Sequence, residues 1–240
     1  MSLNTAHLQG QTEGVLIYNG EMILLYIKKV QLKFEKAPES AMKGGHSGEL
    51  FLTSHRIIFR SAKRGDRLQS FCLPFHCLRR VKLEQPVFGP NYLQGACQAQ
   101  PGGNFEGEVD WTLTFDKGGC IDFGKALLKA TDMASRFQPM MAPPPYAPPP
   151  GGFFNPPPSY YVPGDRTYHG FAPPVNVFPD LPPESGVFMY EAPPPYAGIG
   201  GEPAHQPPYP ANGPVQDPNA PPPSYDEATT EGLRQRSNAH

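Results

Sequence analysis

Residues Gly48–Ala62 read GELFLTSHRIIFRSA, and the patterning of this stretch decides the fold of the first half of the chain. Leu50 and Leu52 lead into a polar break at Ser54 and His55, and Ile57 and Phe59 return on one face. Alternation with period two on both sides of a short break is the mark of a β-hairpin. A lone hairpin is marginal in water, so its apolar face calls for further strands.

The flanking sequence supplies them. Upstream, Val30, Leu32 and Phe34 of VQLKF face one way, and Gln31 and Lys33 the other. Downstream, SFCLPF is a strand closed by Pro74, which has no N–H to give a ladder. RRVKLEQP follows with Val81 and Leu83 inward and ends at Pro86. NYLQGACQAQ and GEVDWTLTF pair across the turn-rich Pro101–Asn104, and Trp111 falls in a strand as a core residue. CIDF, residues 120–123, is expected as a short last strand entered through Lys117, Gly118 and Gly119. The period then changes. Leu127, Ala130, Ala134 and Phe137 fall three or four apart, which predicts one helix of about three to four turns. Strands ending in one amphipathic helix predict a mainly β barrel or sandwich whose open end the helix closes. A domain of this size has little core to spare, so that closure matters.

Proline divides the 240 residues in two. Of 33 prolines, 28 lie from Pro139 onward. Residues 1–137 are expected to fold as one domain, and residues 138–240 to form a disordered proline-rich tail, because too little contiguous apolar surface offsets the entropy of ordering them. Charge divides the same way, with 17 basic and 13 acidic residues in the head and 3 basic and 9 acidic in the tail. Neither balance calls for nucleic acid, and no sequence-specific nucleic-acid binding is expected. Cys72, Cys77, Cys97 and Cys120 all lie in the head. The N-terminus has neither a basic start nor an apolar run, so free thiols in a reducing compartment are expected. The apolar run Met22–Ile27 is too short to span a bilayer. The sequence therefore reads as a soluble intracellular protein.

The tail repeats one phrase. Pro-Pro-x-Tyr occurs at Pro143, Pro144 and Tyr146; at Pro157, Pro158 and Tyr160; at Pro193, Pro194 and Tyr196; and at Pro222, Pro223 and Tyr225. QPPYP near Tyr209 lacks the first proline. A polyproline II helix turns once in three residues, so the first proline and the tyrosine lie on one side. The prolines can stack in an aromatic groove while the ring enters a neighbouring pocket, which is how WW domains read such peptides. One motif alone is expected to bind on the order of 10 μM or more weakly. Successive tyrosines lie 14, 36 and 29 residues apart. A freely coiled chain would span roughly 20, 33 and 30 Å between them, within reach of tandem WW domains. SH3 binding is the lesser reading, because Arg166, Arg234 and Arg236 do not flank a proline cluster.

GELFLTSHRIIFRS, LQSFCLPF, EQPVFGPNYLQG and FDKGGCIDFGKALL, in this order before a Pro-Tyr tail, resemble the GRAM domain and tail of the WW-domain-binding protein 2 family. The resemblance implies a pleckstrin-homology-like barrel capped by a C-terminal helix. It implies a transcriptional coactivator in nucleus and cytoplasm, working with chromatin-associated complexes. It further implies partners among YAP/TAZ-type co-regulators and Nedd4-type ubiquitin ligases.

Other clusters compete with that reading. RSAKRGDR gathers Arg60, Lys63, Arg64 and Arg67 on an expected loop, a candidate phosphoinositide-binding rim that equally suits an ordinary solvated loop. CLPFHC brings Cys72, His76 and Cys77 close in sequence, but zinc needs four ligands, so core thiols and a turn histidine are expected. No catalytic set emerges and no cofactor or metal is called for, so the chain reads as a non-enzymatic adaptor. The rival is a membrane-recruited lipid-binding module with the tail as a secondary tether.

Overall fold

The computed structural model describes residues 2–8, 14–100, 102–136, 153–154, 160–162, 167–190, 194, 196 and 198–200. In chain order the strands are β1 (Ser2–Leu3), β2 (Val15–Tyr18), β3 (Ile23–Glu35), β4 (Gly45–Thr53), β5 (Arg56–Ser61), β6 (Ser70–Pro74), β7 (Leu78–Glu84), β8 (Tyr92–Gln98) and β9 (Glu108–Phe115). Helix α1 (Cys120–Ser135) follows, then β10 (Phe153–Phe154) and β11 (Val187–Tyr190). One sheet runs β1-β6-β5-β4-β3-β9-β8-β7, and a smaller one runs β10-β11-β2.

The expected hairpin is β4–β5, with Leu50 opposite Phe59 and Leu52 opposite Ile57. Strand β3 joins the two halves of the large sheet. Its residues Ile23–Lys33 pair with β4, and only Val30–Glu35 pair with β9. The register shifts between Lys28 and Val30, and Lys29 stands at φ 59°. A bulge of this kind bends a strand and increases its twist. One strand can then serve both halves, and the sheet curls into a barrel.

Helix α1 seals the barrel with Phe123, Leu127, Ala130 and Ala134, in one core with Leu32, Leu52, Phe59, Leu93, Trp111 and Leu113. CIDF is not a strand. Gly118 and Gly119 take φ of 81° and 85°, a region where side chains are disfavoured, and reverse the chain. The helix starts at once, with the Phe123 N–H donating to the Gly119 carbonyl at 2.9 Å. Cys120, Phe123 and Leu127 already follow the helical spacing, and the buried face begins with Cys120.

The half-sheet β3–β6 is buried on both faces. Leu25, Leu50, Leu52, Ile57, Phe59, Phe71 and Leu73 point into the barrel. Tyr26, Phe51, Ile58 and Cys72 point outward, into a second core with Ala6, Val15, Ile17, Val187, Met189 and Tyr160. Strands covered on both sides read as near-continuous apolar runs, and MILLYI, IIF and FCL are such runs.

Part of that outer layer comes from beyond residue 137. The compact unit does not end there but runs Met1–His205. Strand β11 lies parallel to β2, with Val187 opposite Val15 and Tyr190 opposite Tyr18. Val162 donates its N–H to the Ile23 carbonyl at 3.0 Å. Phe171 and Phe178 join the barrel core. The expectation of a tail disordered from residue 138 onward fails for these described stretches. They build no core of their own, and each buried aromatic or aliphatic side chain gains about 1.5–3 kcal/mol from the core the head already has.

Candidate functional site: two motif tyrosines and the head beneath them

The site starts from a tight turn. Tyr18-Asn19-Gly20-Glu21 joins β2 to β3, with the Glu21 N–H donating to the Tyr18 carbonyl at 3.0 Å and Gly20 at φ 84°. The turn folds the Glu21 side chain inward, where it is 0% exposed. Arg56, first residue of β5, meets it with Nε on Oε1 and Nη2 on Oε2, both at 3.0 Å. Thr53 Oγ1 donates to Oε1 at 2.6 Å, and the Tyr18 N–H to Oε2 at 2.8 Å. Arg56 also donates to the Leu16 carbonyl at 3.0 Å and lies 4.5 Å from the Tyr18 ring centroid. Burial alone would raise the Glu21 pKa, but the guanidinium outweighs it and the carboxyl is held below its ordinary range. Burial acts downward on Arg56 and the Glu21 charge upward, and the net is well above its ordinary value. The pair is therefore a fixed, charged platform.

Tyr196, the tyrosine of the third motif, sits over this platform and is 7% exposed. Its ring lies 6.1 Å from that of Tyr18, edge on, 6.2 Å from His55 and 5.2 Å from His76. Tyr18 also meets the Tyr190 ring at 5.6 Å. Just past the motif, the Ile199 N–H donates to the Ser54 carbonyl at 2.8 Å, and Ile199 is buried. Gly198 packs so closely that a Cβ there would stand 2.5 Å from the Ser54 carbonyl oxygen and from the His55 ring. Burial pushes the Tyr196 phenol well above its ordinary value, with Arg56 pulling the other way, so it stays neutral.

The two histidines are neutral as well. Burial lowers His55 to about 4, with Glu21 raising and Arg56 lowering it further. Burial is also the main cause at His76, lowered to about 4, with neighbouring positive charge such as Arg79 adding to it. Ser54 Oγ lies 2.7 Å from His55 Nδ1, and Gln100 Nε2 donates to His76 Nε2 at 3.1 Å. A histidine whose folded pKa lies below the free value confers stability that is complete above the free value and is lost as pH falls toward the folded one. Thermal stability is therefore expected to fall between pH 6.5 and 5, by about 2 kcal/mol for each imidazole. Calorimetric melting across that range checks it, and a midpoint independent of pH from 6.5 to 5 would contradict it.

Tyr160, of the second motif, is buried at 8% exposure in the outer core with Ile23 and Met189. Pro194 is buried too. Pro143, Pro144, Tyr146, Pro157, Pro158, Pro193, Pro222, Pro223 and Tyr225 lie outside the described residues. The freely coiled span expected between Tyr160 and Tyr196 does not apply, because both tyrosines are seated in the head.

The basic loop is only partly a rim. Lys63, Arg64 and Arg67 are exposed on the β5–β6 loop. Arg60 instead lies on β5 and pairs with Glu49, whose other oxygen accepts from Tyr26 Oη at 2.6 Å. Asp66 sits within the cluster and bonds His46 and Ser61, at 3.2 Å each. Cys72 belongs to the outer core, where Arg56 Nη1 reaches its Sγ at 3.6 Å.

Residues 27–133 match the GRAM domain family. The chain is 42% identical to human WW domain-binding protein 2 over 139 residues, which is 57% of this chain and 52% of that protein. It is 38% identical to the bovine postacrosomal sheath WW domain-binding protein over 143 residues, 58% of this chain and 45% of that one. The chain thus spans about half the length of these curated relatives. Among solved structures, the N-terminal PH domain of Vps36 matches at 20% identity and a TM-score of 0.38, over 55% of this chain and 89% of that one. The resemblance of the head to the WW-domain-binding protein 2 family, expected from its sequence blocks, is borne out.

Proposed function

We propose that this chain, whose residues 27–133 match the GRAM domain family and whose head is similar in sequence to WW domain-binding protein 2, is a non-enzymatic adaptor recruiting WW-domain proteins through its Pro-Pro-x-Tyr motifs. The observation that carries the reading is the repetition itself, four such motifs between Pro143 and Tyr225. The names of the relatives, which bind WW domains, support it. A motif free of the head offers an extended ligand that loses little entropy on docking. YAP/TAZ-type co-regulators and Nedd4-type ubiquitin ligases are the partners this reading favours, with a transcriptional coactivator role in nucleus and cytoplasm.

The test is a pull-down with the full chain against a variant in which Tyr146, Tyr160, Tyr196 and Tyr225 are all alanine. WW-domain proteins are expected on the wild type and absent from the variant. Equal capture by both would overturn the reading.

The exposed Lys63, Arg64 and Arg67 favour a second reading, a rim for phosphoinositide membranes. Arg60 and Asp66 count against it, since one is paired to Glu49 and the other places a carboxylate inside the cluster. Flotation of the full chain with phosphoinositide vesicles at physiological salt is expected to show no binding. Flotation that Lys63→Ala, Arg64→Ala and Arg67→Ala together abolish would establish the rim instead.

A further inference from the structure

Two of the four candidate WW ligands have their tyrosine inside the head, and the third motif is held there by more than its ring. Its approach is fixed by β11, which adds to β2 in parallel and sinks Val187 and Met189 into the outer core. Tyr190 then meets the Tyr18 ring, and six residues later Tyr196 meets the same ring edge on. Beyond the motif, the Ile199 N–H closes on the Ser54 carbonyl. The seat combines an aromatic edge from Tyr18, two imidazoles from His55 and His76, and the charged pair below.

We propose that the head carries its own receptor for a proline-flanked tyrosine, formed by Tyr18, His55, His76 and the Glu21–Arg56 pair, and that this receptor withholds the third motif from WW domains. The argument is steric. A WW domain takes the tyrosine ring into a pocket beside its proline groove. Tyr196 is 7% exposed in its seat, and one ring cannot fill two pockets. Seating is intramolecular, so its effective concentration is high, in the millimolar range for a short tether. A WW domain that binds a lone motif on the order of 10 μM must first displace the seated ring, and its apparent affinity falls by the fraction of unseated chain.

The structure also supplies a way to open the seat without touching the head or the motif. Gly198 lies two residues past Tyr196, and a methyl group there meets the Ser54 carbonyl oxygen and the His55 ring at 2.5 Å. Gly198→Ala should therefore expel the segment and leave both Pro193–Tyr196 and the barrel intact.

The inference rests on the WW reading, and its test separates the two. The titrant is one WW domain that reads Pro-Pro-x-Tyr peptides. Its targets are a synthetic peptide of residues 188–199 and the full chain carrying Tyr146→Ala, Pro157→Ala, Pro158→Ala and Tyr225→Ala, so that only the third motif remains and Tyr160 keeps its place. The peptide is expected to bind, the chain to bind at least tenfold more weakly, and the same chain with Gly198→Ala to recover to within about threefold of the peptide. The peptide carrying Gly198→Ala should bind like the unaltered peptide. A full chain that binds as tightly as the peptide overturns the inference and leaves the WW reading standing. A peptide that does not bind removes the third motif from the WW reading, and the withholding with it. Amide exchange at Ile199 reads the seat without any WW domain. It is expected to be slow in the full chain and fast in Gly198→Ala, and fast exchange in both removes the receptor.

Discussion

Arg56→Ala is expected to lower the stability of the folded unit by about 3–5 kcal/mol, the usual cost of leaving one member of a buried ion pair without its partner. In a unit of this length each kcal/mol moves the melting midpoint by roughly 2–4 °C, so a fall of roughly 6–20 °C is expected. The size follows from the surroundings of Glu21. Its carboxylate is 0% exposed and would keep only the Thr53 hydroxyl and the Tyr18 N–H against a buried negative charge. The Leu16 carbonyl would lose its donor as well. The double change Glu21→Leu with Arg56→Met should recover most of the loss, because apolar side chains of similar volume avoid the desolvation that the pair must offset. Thermal melts of the three proteins check this. A single variant within about 1 kcal/mol of wild type would show that the pair is not buried as described.

Tandem WW domains are expected to bind the full chain about 10²–10⁴ times more tightly than either domain alone, provided the linker lets both engage at once. The gain needs no new contact, only two motifs on one chain. It should be smaller than a freely coiled tail would give, because Tyr160 and Tyr196 are seated in the head and the stretch between them is not a free tether. Gly198→Ala should therefore increase the tandem affinity while barely changing that of the isolated peptide. Calorimetric titration of one WW domain and of the tandem into the same chain gives both numbers. Equal affinities would mean that the repetition of the motif has no role in binding.

The hairpin at the centre of the fold was legible because Leu50, Leu52, Ile57 and Phe59 face one core and Ser54 and His55 mark the break. The start of the helix was not, because CIDF carries apolar residues that suit a strand and only the two glycines at positive φ turn them into a first helical turn. The outer layer had a signal that alternation alone overlooks. MILLYI, IIF and FCL carry apolar or aromatic side chains on successive positions, as strands covered on both faces tend to. Their cover is distant in sequence and so has no local signature. The motif tyrosines were recognisable as rings that a partner's pocket could take, and for Tyr196 the head of the same chain supplies the pocket, while Phe171 and Phe178 join its core. The Glu21–Arg56 pair was invisible for a similar reason, since 35 residues separate two charges that meet only after β3, β4 and β5 have paired.

The most direct measurement is calorimetric titration of a tandem WW protein into the full chain, and into the chain with Tyr146, Tyr160, Tyr196 and Tyr225 replaced by alanine. Saturable binding by the first, and none by the second at the same concentrations, is the expected result. Undiminished binding to the variant, or no saturable binding to the unaltered chain, would contradict the account.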